Sequence, residues 1–299
     1  MTPFSGILVA MVTPFADDES VSTERTAKLI DYLLAAKPTG LFILGTNGEA
    51  YAMTEDEKYD FAKFVIEYVA GRAKVIVGTG LNSTRETIAF SQRIAGLHPD
   101  AVSLVAPSFV APTQAELVAH YQSVADAVPV PCVLYNMPGK TGINIEPESV
   151  RLLSQHPNII GLKDSSGDWK NFDGYIANRS SNDFTLIMGS DGRILESLKH
   201  GGDAAIAGTG NLLVANVVKL YDAYRTGNLK AAQYYQDAIQ PLRTVLHEAT
   251  TPVSLKAAVT ASGVNVGPAR RPALMPAAGS QLDKDIQKVV ADYKARGVI

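Results

Sequence analysis

The chain is poor in the residues that would commit it to several common kinds of chemistry. It has one cysteine, Cys132, so no intramolecular disulfide can form. Cys132 lies inside an apolar run and reads as a small core hydrophobe. Basic residues are not in excess: 27 Lys and Arg stand against 30 Asp and Glu, for a net charge of −3. That leaves no electrostatic footprint for nucleic acid. No apolar run reaches the roughly 18 residues of a transmembrane helix, so no membrane partner is expected. The opening Met1-Thr-Pro-Phe-Ser5 lacks the basic start and apolar core of a signal peptide, which predicts a cytoplasmic protein. The five histidines (His98, His120, His156, His200 and His247) form no tight ligand spacing, and no metal is expected. A Gly-rich dinucleotide loop is also missing after the first apolar run, where Val12-Thr-Pro-Phe15 stands instead.

What is present is 299 residues, 46% of them hydrophobic, enough for one large domain with an appendage. Eight short apolar runs recur, at 6–12, 40–45, 74–80, 101–107, 131–136, 159–163, 184–190 and 204–210. Each ends in turn residues, and each is continuous rather than alternating, as in strands buried on both faces of a parallel sheet. Segments of helical period separate them at 22–36, 54–70, 83–97, 114–127, 146–155 and 192–200. One opens with Thr54-Glu-Asp-Glu57, a capping-box pattern. This alternation predicts a (β/α)8 TIM barrel. After Gly210 the strands stop, and helices are expected at 212–225, 228–248, 252–262 and 281–296. The expected division is a barrel over 1–225 and a C-terminal helical region over 226–299.

Three of the runs end in residues with chemistry. Ile159-Ile-Gly-Leu-Lys163 closes on a lysine, Pro131-Cys-Val-Leu-Tyr135 on a tyrosine, and Leu41-Phe-Ile-Leu44 leads into Gly45-Thr-Asn-Gly-Glu49. A lysine at the end of a buried strand is costly unless its charge is paired, solvated or suppressed. Burial disfavours the ammonium, and a neutral amine adds to a ketone to give an imine. A lysine placed there also snorkels to solvent, or pairs with Asp164 or Asp168. In a parallel barrel the strand ends converge on one face and build the site.

Taken together, Gly45-Thr-Asn-Gly-Glu49, Tyr135-Asn-Met-Pro-Gly-Lys-Thr-Gly142 and Gly161-Leu-Lys-Asp164 occur in the order and spacing of a known family. The chain resembles the dihydrodipicolinate synthase and N-acetylneuraminate lyase family, the pyruvate-type class I aldolases. The resemblance runs from Gly6-Ile-Leu-Val-Ala-Met-Val-Thr-Pro-Phe15 to the helical tail. It implies that Lys163 forms the imine and that the Tyr135 hydroxyl shuttles protons. It implies that Thr46, with Gly45, Asn47 and Gly48, binds the carboxylate of a 2-oxo acid through its hydroxyl and backbone N–H groups. Glu49 is read as a structural cap or hydrogen-bonding partner. No cofactor is expected beyond the covalent imine on Lys163. The implied partners are a 2-oxo acid, an aldehyde and further copies of the chain in a homotetramer.

The departures from the synthase pattern bear on substrate. Asn47 stands where synthases commonly carry a second threonine. Phe109, in Pro107-Ser-Phe-Val-Ala-Pro112, replaces a tyrosine that relays protons from a neighbouring subunit. Lys140 replaces an arginine that grips the second substrate's carboxylate, and a lysine cannot reproduce a bidentate fork. Gly189-Ser-Asp191 keeps an aspartate at a sugar-contact position of the lyases, but Gly192 and Gly208 lack the side chains found there. Lys140, Ser165, Asp191 and Thr209 remain to hold a polar tail. The reading is a lyase or aldolase for a 2-keto-3-deoxy sugar acid or 4-hydroxy-2-oxoglutarate. The alternatives are 4-hydroxy-tetrahydrodipicolinate synthase, a dehydratase using the same imine, and a non-catalytic regulator that binds a 2-oxo acid.

Overall fold

A computed structural model of the chain describes every residue except Met1, Pro3 and Asn182. Eight strands pair in chain order as a closed barrel: β1 (Gly6–Ala10), β2 (Gly40–Ile43), β3 (Lys74–Gly78), β4 (Ala101–Val105), β5 (Cys132–Asn136), β6 (Ile159–Asp164), β7 (Thr185–Met188) and β8 (Ala204–Ala207). The β1–β2 pairing and the successive pairings from β3 to β8 are parallel. Every residue of β1, β2, β5, β7 and β8 is buried, as continuous apolar runs require. The chain groups into two compact units. One comprises Lys74–Ile206 with the residues before Ile7, the other Ile7–Ala73 with Ala207–Ile299.

Helices α1 (Thr23–Ala35), α2 (Glu55–Val69), α3 (Thr84–Ala95), α4 (Gln114–Ala127), α5 (Pro138–Thr141), α6 (Pro147–Leu153), α7 (Trp169–Asn178) and α8 (Ile194–Lys199) fill the connections. Their starts follow from local chemistry. Ser22 and Ser83 accept backbone N–H groups of the first turns of α1 and α3. Thr54 and Glu57 form the expected capping box at α2, and Thr113 with Glu116 forms a second at α4. Each helix buries one stripe, such as Leu29, Ile30 and Leu33 of α1 or Phe61, Ala62 and Val65 of α2.

Three helical features differ from expectation, the single-turn α5 being one. Helix α7 was not expected from the sequence, yet Asp168 caps it and Phe172 and Tyr175 bury its inner face. The single helix expected over 228–248 is two, α10 (Leu229–Asp237) and α11 (Gln240–Leu246). Pro241 lies in the first turn of α11, where its missing N–H costs nothing, whereas inside a continuous helix it would remove a hydrogen bond. Helices α9 (Gly210–Arg225), α12 (Val253–Ser262) and α13 (Gln281–Ala295) complete the chain. No described helix is long and apolar enough to cross a membrane.

Candidate active site

Lys163 and Tyr135 sit opposite one another on paired strands, near the C-terminal ends of β6 and β5. Each is only 4% exposed. The Lys163 Nζ lies 4.0 Å from the centroid of the Tyr135 ring. An amine is thus held over the face of a phenol ring with little access to water.

The strand ends are fixed by a buried network of neutral groups and one carboxyl. Asn136 Nδ2 lies within 2.8–3.0 Å of Asn144 Oδ1, Asp164 Oδ1 and the Tyr175 hydroxyl. Its Oδ1 accepts from the Ile145 N–H, whose carbonyl accepts from Tyr175. Asp164 also accepts from the backbone and hydroxyl of Ser166. Burial pushes the Asp164 carboxyl above the usual carboxylate range, against those hydrogen bonds, which favour its charged form.

Ser165, half-buried, donates its N–H to the Asn136 carbonyl across the strand ends. It meets Lys163 at Gly189. A Cβ at position 189 would press on the Ser165 Oγ, lie 2.9 Å from the Asp164 carbonyl oxygen and come 3.0 Å from Lys163 Cε. The backbone there is pinned, because the Gly189 N–H donates to that same carbonyl at 2.7 Å. Asp191 opens a short 3₁₀ turn, Asp191–Arg193, and is half-buried. Lys140 lies exposed in α5. Phe109 is 98% exposed and carries a left-handed φ of 75°.

The second unit holds Gly45, Thr46, Asn47 and Gly48 in one loop after β2. Two left-handed residues bracket the loop, Leu44 at φ 56° and Glu49 at φ 54°. Gly45 has no alternative, since a Cβ would come 2.5 Å from the Phe42 ring. The Glu49 N–H closes a turn onto the Thr46 carbonyl at 3.2 Å, and the Thr13 hydroxyl donates to the Gly48 carbonyl at 2.6 Å. Thr209 is buried at the N-terminus of α9. Asn211, two residues on, bonds the Val12 N–H and the Ala10 carbonyl, sealing the end of β1.

Glu49 is fully buried. Its Oε1 lies 2.6 Å from Lys256 Nζ, itself fully buried, and its Oε2 accepts from the Arg270 N–H at 2.8 Å. Burial holds Lys256 well below the ordinary lysine value, at about 8, against the pull of Glu49. Reading the sequence alone missed Lys256, Arg270, Asn211, Tyr175 and the part played by Asn136. Burial also pushes the Cys132 thiol up to about 12, which suits an inert core position.

The sequence pattern of the Dihydrodipicolinate synthetase family matches residues 3–291. A 4-hydroxy-tetrahydrodipicolinate synthase of Listeria innocua is 38% identical over 268 residues, covering 89% of this chain and 91% of the relative. Among solved structures, the dihydrodipicolinate synthase DapA-2 of Bacillus anthracis superposes with a TM-score of 0.93 at 30% identity, covering 97% of this chain and 99% of that one. YagE of E. coli, a prophage protein of the dihydrodipicolinic acid synthase family solved with pyruvate, gives a TM-score of 0.93 at 30% identity over 98% and 99% of the two chains. This chain therefore belongs to the dihydrodipicolinate synthetase family of pyruvate-dependent class I aldolases, enzymes that work through a lysine imine.

Proposed function

We propose that Lys163 is the imine-forming lysine and that the enzyme cleaves or forms a 2-oxo acid of the 2-keto-3-deoxy sugar acid or 4-hydroxy-2-oxoglutarate type. The observation that carries the first part is the pairing of Lys163 with Tyr135 at 4.0 Å, both buried. The Lys163 amine adds to the C2 ketone, and Tyr135 moves the protons as water leaves. The resulting protonated imine draws in the electrons of the C3–C4 bond. That bond breaks as the C4 hydroxyl loses its proton, giving an aldehyde and a pyruvate enamine. Protonation at C3 and hydrolysis then return the amine and release pyruvate. Thr46 and the backbone around Asn47 are assigned to the substrate carboxylate through the family resemblance. Ser165, Asp191, Thr209 and Lys140 are assigned to the polar tail.

The synthase reading is the second choice, and the names of the curated relatives favour it. Against it stand Phe109, which offers no hydroxyl, and Lys140, which offers no bidentate fork. A cytoplasmic homotetramer completes the proposal on the strength of the resemblance.

Incubation with pyruvate and borohydride should add one reduced pyruvyl group, mapped to Lys163, and Lys163→Ala should remove it. An adduct at another lysine would sink the assignment. Tyr135→Phe should lower turnover about 10²-fold or more, the usual scale for a general acid–base group. Substrate class is settled by comparing kcat/KM for aspartate semialdehyde condensation with that for cleavage of 2-keto-3-deoxy acids. A higher value for the semialdehyde than for every acid tested would promote the synthase reading.

A further inference from the structure

We infer that Lys256 is a positioning residue for the loop over residues 45–48, acting through Glu49 to hold that loop in the conformation that receives a 2-oxo acid carboxylate. The inference rests on the proposed role of Thr46 and adds the group that keeps Thr46 in place.

The argument starts from Glu49. A carboxylate with no solvent exposure is tolerated only when its oxygens are matched, and here each has its own partner. Oε1 faces Lys256 Nζ at 2.6 Å and Oε2 takes the Arg270 N–H at 2.8 Å. The Glu49 backbone is left-handed, a conformation a side chain other than glycine seldom takes without being held. That backbone also closes the turn, through its N–H on the Thr46 carbonyl. The side chain's anchorage and the turn's closure thus meet in one residue.

Lys256 is itself immobilised. It projects from α12, donates to the Pro268 carbonyl at 2.7 Å and lies 4.1 Å from the Phe15 ring centroid. Arg270 lies over the same ring at 4.4 Å. Its guanidinium is occupied elsewhere: it pairs with both oxygens of Glu57 and donates to the carbonyls of Glu19 and Ala52. Only its backbone N–H serves Glu49. Lys256 is therefore the cation that matches the Glu49 charge. Without it, the carboxylate must take up a proton or leave for solvent, and either outcome frees the turn.

The test uses Lys256→Met, Glu49→Leu and the double variant Lys256→Met/Glu49→Leu. Each is measured for thermal stability, for the pyruvate concentration giving half-maximal borohydride adduct, and for amide exchange across residues 44–53. Lys256→Met should raise the half-saturating pyruvate concentration about 10- to 100-fold, the scale of a small misplacement of a binding group. The adduct at saturation should remain one per chain. The double variant removes both charges and should regain much of the melting temperature lost in Lys256→Met. Its half-saturation should stay high and exchange across 44–53 should stay fast. Wild-type half-saturation and wild-type exchange in the double variant would reduce Lys256 to a stabilising role and overturn the inference. If the wild type forms no adduct, the imine reading falls, and amide exchange across 44–53 alone decides whether Lys256 holds the loop.

Discussion

The end of β5 and β6 and the loop after β2 are held in chemically opposite ways. Around Lys163, the supports are amides, hydroxyls and a carboxyl that burial pushes towards its neutral form: Asn136, Asn144, Tyr175, Ser166 and Asp164. All five come from the same stretch of chain, between 136 and 175. Around Thr46, the support is ionic and distant: Lys256 pairs with Glu49, and the Arg270 N–H reaches the same carboxylate across 221 residues of sequence. The network at β5 and β6 fixes geometry through amides and hydroxyls gathered around one carboxyl, Asp164. For a loop proposed to meet an anion, the ion pair at Glu49 fixes the backbone from beside the loop. The lesson is that position and charge can be supplied separately within one fold.

This contrast can be broken by substitution. The largest effect is expected from Lys256→Met, which strands a buried carboxylate and should cost about 3–5 kcal/mol in urea or guanidinium unfolding. Asn136→Leu should cost less, about 1–3 kcal/mol, because Asp164 keeps its two Ser166 donors and the group left unmet, the Ile145 N–H, is neutral. If Asn136→Leu were the more damaging of the two, the ionic and neutral supports would not differ in the way described.

The third expectation concerns pH. The charged groups beside Lys256 are Glu49, which favours its proton, and Arg270, which opposes it. Burial prevails, so the folded value lies near 8 against 10.5 for the free side chain. Between those limits the unfolded chain binds a proton that the folded chain does not, so this group's contribution to stability rises with pH. The slope is at most about 1.4 kcal/mol per pH unit and should vanish in Lys256→Met/Glu49→Leu. Over the same range the ion pair weakens, so pyruvate binding should loosen while this contribution to stability grows. Parallel unfolding and adduct titrations from pH 7 to 10 would show whether the two trends diverge. The smallest effect is Thr13→Val, which removes one neutral hydrogen bond to Gly48 and should cost about 0.5–1.5 kcal/mol.

All eight strands were legible because each is a short apolar run closed by turn residues. Six of the runs extend past the C-terminal ends of their strands, as at Val12, Pro107 and Ser190, whereas β5 ends at Asn136 as expected and β6 one residue beyond Lys163. Helix α7 was hidden by Asn171, Asp173, Gly174 and Asn178, poor helix formers that mask the Phe172 and Tyr175 face. Lys163 and Tyr135 stood out because reactive side chains ending buried strands are unusual. Lys256 did not. In Val253-Ser-Leu-Lys256 it looks like any helical lysine, and its meaning depends on a carboxylate on another element. Sequence shows which residues could react more readily than which residues hold them still.

The bare backbone at Gly189 bears on how freely this site can vary. A Cβ there would crowd Ser165, the Asp164 carbonyl oxygen and Lys163 Cε at once, and the backbone cannot retreat because it is tied to that carbonyl. The imine proposed at Lys163 requires its last methylene to travel, and the missing side chain leaves room for that travel. Even alanine, harmless at most small positions, would jam the arm rather than merely tighten the packing. Adaptation to new substrates is then excluded at position 189 and left to side chains farther along the substrate's tail.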